Sequence, residues 1–277
     1  MRATRTLASI GRGTGRAVRR FVVSLFAGAA ITTSAWAGAD IDPRGPERFH
    51  VELEAGPVWQ SRNDVEIPND GSATRFSLKE LAGTGPWPAA RLYFAGNINE
   101  KHGLRLLLAP LSYEETGTFD EPVRFAGETY AADAPTQATY RFNSWRVTYR
   151  YRFWKSERWT WWVGGTAKIR DAKVELRQGD VTSRDTDLGF VPLAYIRGDW
   201  MFAGRWHLQL EADALAGGPG RAEDVSIKVA RGLGEHWTVS GGYRTLEGGA
   251  DVDEVYNFGW FHYAVASATY RWGSAGG

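Results

Sequence analysis

Charged residues recur at alternate positions within otherwise apolar, aromatic-rich segments, and that spacing decides what chemistry they can do. Arg146, Arg150 and Arg152 alternate with Val147, Tyr149, Tyr151 and Phe153. Lys168 follows Thr166, and Arg197 and Asp199 alternate with Ile196 and Trp200. Glu211 and Asp213 face away from Leu210 and Ala212, as Asp224 and Lys228 do from Val225, Ile227 and Val229. Arg244 lies opposite Tyr243, and Glu52 and Glu54 lie opposite Val51, Leu53 and Ala55. A period of two sets the charges on one face of an extended strand and the apolar side chains on the other. Charges gathered on one enclosed face must be paired or hydrated, because an isolated ion in a low-dielectric wall is costly. The expected result is an interior stiffened by ion pairs, with Arg197 reaching Glu211 or Asp213 and Lys228 reaching the same acids. A polar route or binding site lined by the arginines is the functional alternative.

Other chemistry has less to stand on. The chain has no Cys, which removes disulfides, thiolate metal sites and cysteine nucleophiles. A hydrolase needs a nucleophile or activated water beside a general base, most often His. Of the five His, His50, His102, His207 and His236 fall at the short-turn end, away from the longer loops. His262 lies in the opposite half with outward parity, and its expected neighbours Gly241, Tyr243, Ala55, Pro57 and Trp59 include no Ser or Asp. The reading is therefore an interfacial His without catalytic partners. The acidic stretch Glu247–Glu254, with Asp251, Asp253 and Glu254, lacks a calcium-loop spacing and reads as a solvated turn. No catalytic residue, metal site or cofactor is expected.

The elements that position these residues form ten alternating segments, spanning 49–59, 89–98, 104–113, 145–153, 159–169, 188–202, 206–217, 225–229, 237–243 and 256–272. The extension Ala172–Leu176 alternates in the opposite phase, which predicts a bulge. Short connections (97–103, 155–158, 203–205 and 232–236) take turns with longer ones (62–88, 114–138, 178–187, 218–223 and 247–255). Thr74–Leu81 and Val123–Tyr130 are candidate hairpins within the longest two. Aromatics crowd the short-turn side: Phe153, Trp154, Trp159, Trp161, Trp200, Phe202, Trp206, Trp237, Tyr270 and Trp272. A soluble β-sandwich would alternate too. The segments, however, commonly reach the roughly 9–11 residues that cross a bilayer obliquely, and little helix signal is present to cover their apolar faces.

The N-terminus reads as an address. Arg2, Arg5, Arg12, Arg16, Arg19 and Arg20 precede the apolar run Phe21–Ala37, which closes on Ala35-Trp36-Ala37. That is the layout of a cleaved secretory signal. Of the 33 Lys+Arg and 32 Asp+Glu, the remainder keeps 27 bases against 32 acids, a balance that disfavours nucleic acid.

The terminal strand from Tyr256 to Trp272, ending Ala268-Thr269-Tyr270-Arg271-Trp272, resembles the C-terminal insertion signal of bacterial outer-membrane proteins. Residues 38–277 as a whole look like a small bacterial outer-membrane β-barrel protein. The stretch Gly242–Asp251 and Val255–Phe258 is similar to a group within that class that carries no established activity. The resemblance implies that Tyr270 and Trp272 are read by the insertion machinery and that membrane lipid is the surrounding partner.

The expectation is thus a signal peptide over 1–37 and a single all-β domain over 38–277, an antiparallel up-and-down transmembrane barrel of ten strands in the outer membrane. Its role is expected to be non-enzymatic, structural or limited to small-solute passage or binding, with the lumen filled by charge. The alternative is an enzyme acting on lipid or peptide near the extracellular rim.

Overall fold

A computed structural model describes residues 47–217 and 220–274; the expected signal peptide lies outside them. In chain order the elements are β1 (Glu47–Glu66), β2 (Phe76–Ser77), helix α1 (Leu78–Ala82), β3 (Trp87–Asn97), β4 (His102–Ala109), β5 (Ser112–Gly117), β6 (Val123–Phe125) and β7 (Glu128–Tyr130). They continue with β8 (Thr136–Lys155), β9 (Trp159–Gln178), β10 (Val181–Ala203), β11 (Trp206–Gly217), β12 (Gly220–Leu233), β13 (Trp237–Val252) and β14 (Val255–Ser274). β4 and β5 pair in succession along β8 and together make one wall strand. Each wall strand is antiparallel to the next, and β14 returns to β1 from Glu47↔Ser274 to Glu66↔Tyr256. The result is a closed up-and-down barrel of ten strands. Closure leaves no end strand without a partner, as a β structure surrounded by hydrocarbon requires, with β5 above Ala109 paired to β8 alone. Among the described residues no helix is long and apolar enough to cross a membrane.

The wall strands are longer than a bilayer needs: β8, β9 and β14 have 20 residues and β10 has 23. Their polarity reverses part way along. In β8, Arg146, Thr148 and Arg150 point inward and are buried, while Val147 and Tyr149 face out. Nearer the long-loop rim the same strand buries Ala138, Tyr140 and Phe142 and turns Gln137, Thr139, Arg141 and Asn143 outward. One half is built for lipid, with apolar residues out; the other is built for water, with apolar residues in. β9 behaves alike, which corrects the bulge expected near Ala172. Its pairing with β8 and β10 runs without a shift between Ile169 and Ala172. The change of phase marks the place where the strand's outward face turns from apolar to polar, not an extra residue.

A bulge does occur in β1, between Gln60 and Arg62. It moves the inward set from Glu52, Glu54 and Gln60 to Asn63, Val65 and Ile67. Charged Arg62, Asp64 and Glu66 are thereby kept out of the interior.

Three of the expected long loops are strand almost to their tips. β9 and β10 pair through Gln178↔Val181, β11 and β12 through Gly217↔Gly220, and β13 and β14 through Val252↔Val255. The two truly long connections fold into a cap. The first gives β2 and α1, whose Ser77 hydroxyl caps the Glu80 amide, and the second gives the β6–β7 hairpin. Leu78, Leu81, Phe76, Phe125 and Tyr130 from these segments join Tyr140, Leu176, Phe261 and Tyr263 of the wall in one apolar core.

Outside, Leu53, Phe94, Leu106, Val147, Ile196, Ile227 and Val239 form an apolar belt. At the short-turn rim it is edged by Phe49, Trp154, Phe202, Trp206, Trp237 and Trp272, the aromatic girdle of an outer-membrane barrel.

Candidate functional site

At membrane level the inward faces of opposite walls meet. Asp224 of β12 receives Arg91 of β3 at 2.7 Å, Arg146 of β8 at 2.7 Å and Arg244 of β13 at 2.5 Å. Glu54 of β1 takes Arg244 at 2.9 Å and Lys228 at 2.9 Å, with Arg91 at 3.6 Å. Glu52 takes Lys228 at 2.5 Å. A second group forms around β11, where Arg105 meets Glu211 at 2.5 Å and Asp213 at 3.5 Å. Asp213 also accepts from Arg146 at 3.0 Å and from the Thr166 hydroxyl at 2.5 Å. Arg197 is held by Asp199 at 2.9 Å and approaches Glu211 at 3.7 Å. Tyr93 stitches the cations together, its hydroxyl accepting from Arg91 and Arg244 at 3.0 Å each.

One of the pairs expected on neighbouring strands forms: Arg197 reaches Glu211 at 3.7 Å, although Asp199 of its own strand is closer. Lys228 reaches neither Glu211 nor Asp213; it crosses to Glu52 and Glu54 on β1, which is not adjacent to β12 in the sheet. Long side chains in a narrow lumen find the facing wall more readily than a neighbour on their own curved surface. Lys168 is buried against the Phe142 ring at 4.8 Å and makes no ion pair among the described residues. Arg150 and Arg152 sit nearer the short-turn rim, both over Trp162, with Arg150 donating to Asn97 and Arg152 pairing with Glu100.

Two members of the network, Arg91 and Arg105, were not among the expected residues. Both lie in segments so apolar that their faces are hard to assign by eye. The signal is present all the same: Arg91 and Tyr93 alternate with Leu92 and Phe94, and Arg105 with Leu104 and Leu106.

The terminal aromatics lie at the seam of the barrel. Trp272 pairs with Phe49 at a ring separation of 5.9 Å and leans on Tyr270 at 5.8 Å. The acidic stretch 247–254 is tied to the cap where Asn69 donates to the Asp251 carboxylate, and to β12 where Arg221 pairs with Glu247.

His262 faces outward as its parity requires, but it is not without partners. Its Nε2 lies 2.8 Å from the Ser61 hydroxyl, and its Nδ1 lies 2.5 Å from the Tyr243 hydroxyl. The β1 bulge supplies this contact: Trp59 is in register with His262, and Ser61 is the residue left over before Arg62 pairs with Trp260. The expected neighbours stopped at Trp59 and so missed it by one step of register.

No protein-family model matches the chain, and neither does any curated protein. Solved structures do resemble it in shape. The outer-membrane protease OmpT of Escherichia coli superposes with a TM-score of 0.52 at 6% identity, over 82% of this chain and 97% of that one. Ail, the attachment invasion locus protein of Yersinia pestis, gives 0.39 at 9% identity over 81% and 99%. A FadL homologue of Pseudomonas aeruginosa gives 0.34 at 7% identity over 85% and 96%. The likeness to OmpT, far below the identity that would carry an activity, agrees with the closed wall and apolar belt: the chain folds as an outer-membrane β-barrel.

Proposed function

We propose that the protein is a sealed envelope barrel whose lumen is a non-enzymatic structural plug, and whose working surfaces are its lipid-facing wall and its cap. The observation that carries this reading is the two-storey interior. At membrane level, Arg91, Arg105 and Arg146 meet carboxylates of β11 and β12 at 2.5–3.0 Å, four or fewer strands away round the ring. Above them the apolar core of the cap closes the opposite end. Side chains joined at hydrogen-bond distance across the lumen narrow the space left for a water column. Ten strands also stand nearer to the filled eight-stranded barrels than to the 16–18-stranded porins. Passage of small solutes is therefore the weaker of the two roles expected from the sequence.

Planar-bilayer recording of the purified protein tests this directly. The expected trace is flat apart from brief, small openings. A large, steady conductance in the unaltered protein would make the charged face a channel lining and overturn the plug.

Assembly is proposed to run through the terminal strand, where Tyr270 and Trp272 meet the insertion machinery and then close against β1. Trp272→Ala should reduce the fraction of heat-modifiable, folded barrel in the outer membrane several-fold. The measurement is gel migration of unheated and boiled membrane fractions. Equal folded fractions for the two proteins would remove Trp272 from that role.

A further inference from the structure

We propose that Ser61, His262 and Tyr243 form an acyl-ester hydrolysis site on the outer wall of the barrel, working on a lipid of the surrounding leaflet. This goes beyond the plug reading, which concerns only the lumen, and the two have separate readouts.

Three observations converge. The first is the hydrogen-bonded chain itself, a hydroxyl at 2.8 Å from one imidazole nitrogen and a second hydroxyl at 2.5 Å from the other. A nucleophile beside a base that is oriented by a third group is the arrangement of serine hydrolases, recognised by geometry and not by sequence order. The tautomer this requires has Nδ1–H donating to Tyr243 Oη, which leaves Nε2 to accept from Ser61. The second is position. Trp59 and Trp260 turn their indoles outward on either side of His262, and the cap end of the belt is the outer leaflet in a barrel whose short turns face the periplasm. An ester linkage near the headgroup level lies at that depth. The third is a groove of about 440 Å³ in the lipid-facing wall, lined almost wholly by apolar atoms of residues such as Trp161, Ile196, Leu210, Ala212, Ile227 and Tyr243. It ends at Tyr243 and Thr245, and Thr245 is in register with His262. Its size is within the usual range for small-molecule sites, and an acyl chain is the occupant that a membrane offers.

In the reaction, Ser61 Oγ adds to the ester carbonyl carbon as its proton passes to His262 Nε2. The bond to the alcohol oxygen breaks as that proton is delivered to it. Water then adds to the acyl-serine, His262 again taking and returning the proton, and the free fatty acid and Ser61 are restored. One water is consumed per ester, and no other co-reactant is needed. Tyr243 is a positioning residue: it acts through the imidazole.

The test uses the full-chain protein purified from outer membranes and refolded into micelles, with a fluorophosphonate probe and two lipid arms, phosphatidylethanolamine vesicles and lipopolysaccharide. The expected result is probe adduct on the Ser61 peptide, absent in Ser61→Ala and reduced about 100-fold in His262→Ala, the scale of a lost general base. One of the two lipids should release fatty acid, and which one does so identifies the source of the ester. Tyr243→Phe should lower the rate less than His262→Ala does and move the acid limb of its pH profile, which a purely structural loss would leave in place. An unlabelled Ser61 in a barrel that still runs as folded, release from neither lipid, or release that persists in Ser61→Ala would each overturn the proposal.

Discussion

Asp224→Ala should lower the unfolding free energy of the barrel by about 3–5 kcal/mol, the cost of stripping one partner from a buried ionic group. Asp224 is the acid on which Arg91, Arg146 and Arg244 converge, each within 2.7 Å and each almost fully buried. Without it, Arg146 keeps Asp213 and Arg244 keeps Glu54, while Arg91 is left with Glu54 at 3.6 Å. Three guanidinium groups would then repel one another around a void that water must enter. Denaturant unfolding in detergent, followed by tryptophan fluorescence, measures the loss. Asp251→Ala, in an exposed hairpin, should leave the midpoint nearly unchanged. The pairing account makes a stricter demand as well: Arg146→Met should cost less in the Asp224→Ala background than in the native barrel, since contacting members of one network are not additive. Additive costs would mean that Asp224 matters for space and not for charge.

The network also explains why the barrel keeps so many ions where apolar residues would fill the same volume. Replacing buried ion pairs by hydrophobic packing is often neutral or stabilising. An apolar lumen inside an apolar belt, however, would erase the difference between the two faces of every strand. With charges inside, a slip of one residue would drive Arg146 or Asp213 into lipid and Val147 or Ala212 into the lumen. The charges thereby fix register, because parity is the only feature that tells the strand which side is which.

Much of this was legible in the sequence, for a reason that also marks the limit. Alternation reports which side of a strand a residue faces, so Glu52, Glu54, Glu211, Asp213, Lys228 and Arg244 could be assigned to the lumen without coordinates. It does not report distance across the barrel, and so it offers Lys228 the acids of the adjacent strand instead of Glu52 and Glu54. Nor does it report the surroundings. The shift of phase at Ala172 looks like an inserted residue when the apolar face is taken to point one way throughout. It becomes a membrane boundary once Val174 and Leu176 are found packed beneath the cap. The Ser61–His262 contact was out of reach for a related reason, because a bulge changes register locally and Ser61 fell between the end of one assigned strand and the start of the next loop. In the cap the hairpin over Val123–Tyr130 is legible in the sequence, whereas Thr74–Leu81 folds not as the expected hairpin but as a two-residue strand and a five-residue helix, too short to leave a period.

The boundary can be tested with one residue type placed at three positions along β8. Val147→Arg should destabilise the barrel by about 2 kcal/mol or more, since an arginine on the lipid face within the belt loses its hydration. Thr139→Arg, outward on the same strand but beyond the reversal, should cost little, because its neighbours Gln137 and Arg141 are already polar. Ala138→Arg, one residue away and pointing in, should be as damaging as the first or worse. It would drive a charge into the apolar core around Tyr140 and Leu176, where Ala138 is fully buried. The order of the three unfolding midpoints in reconstituted vesicles reads the environment of each face directly. A strand embedded along its whole length would instead make Thr139→Arg as costly as Val147→Arg. A barrel standing in water would make Val147→Arg harmless. Only a strand that leaves the membrane between Thr139 and Val147 predicts damage inside above the boundary and outside below it.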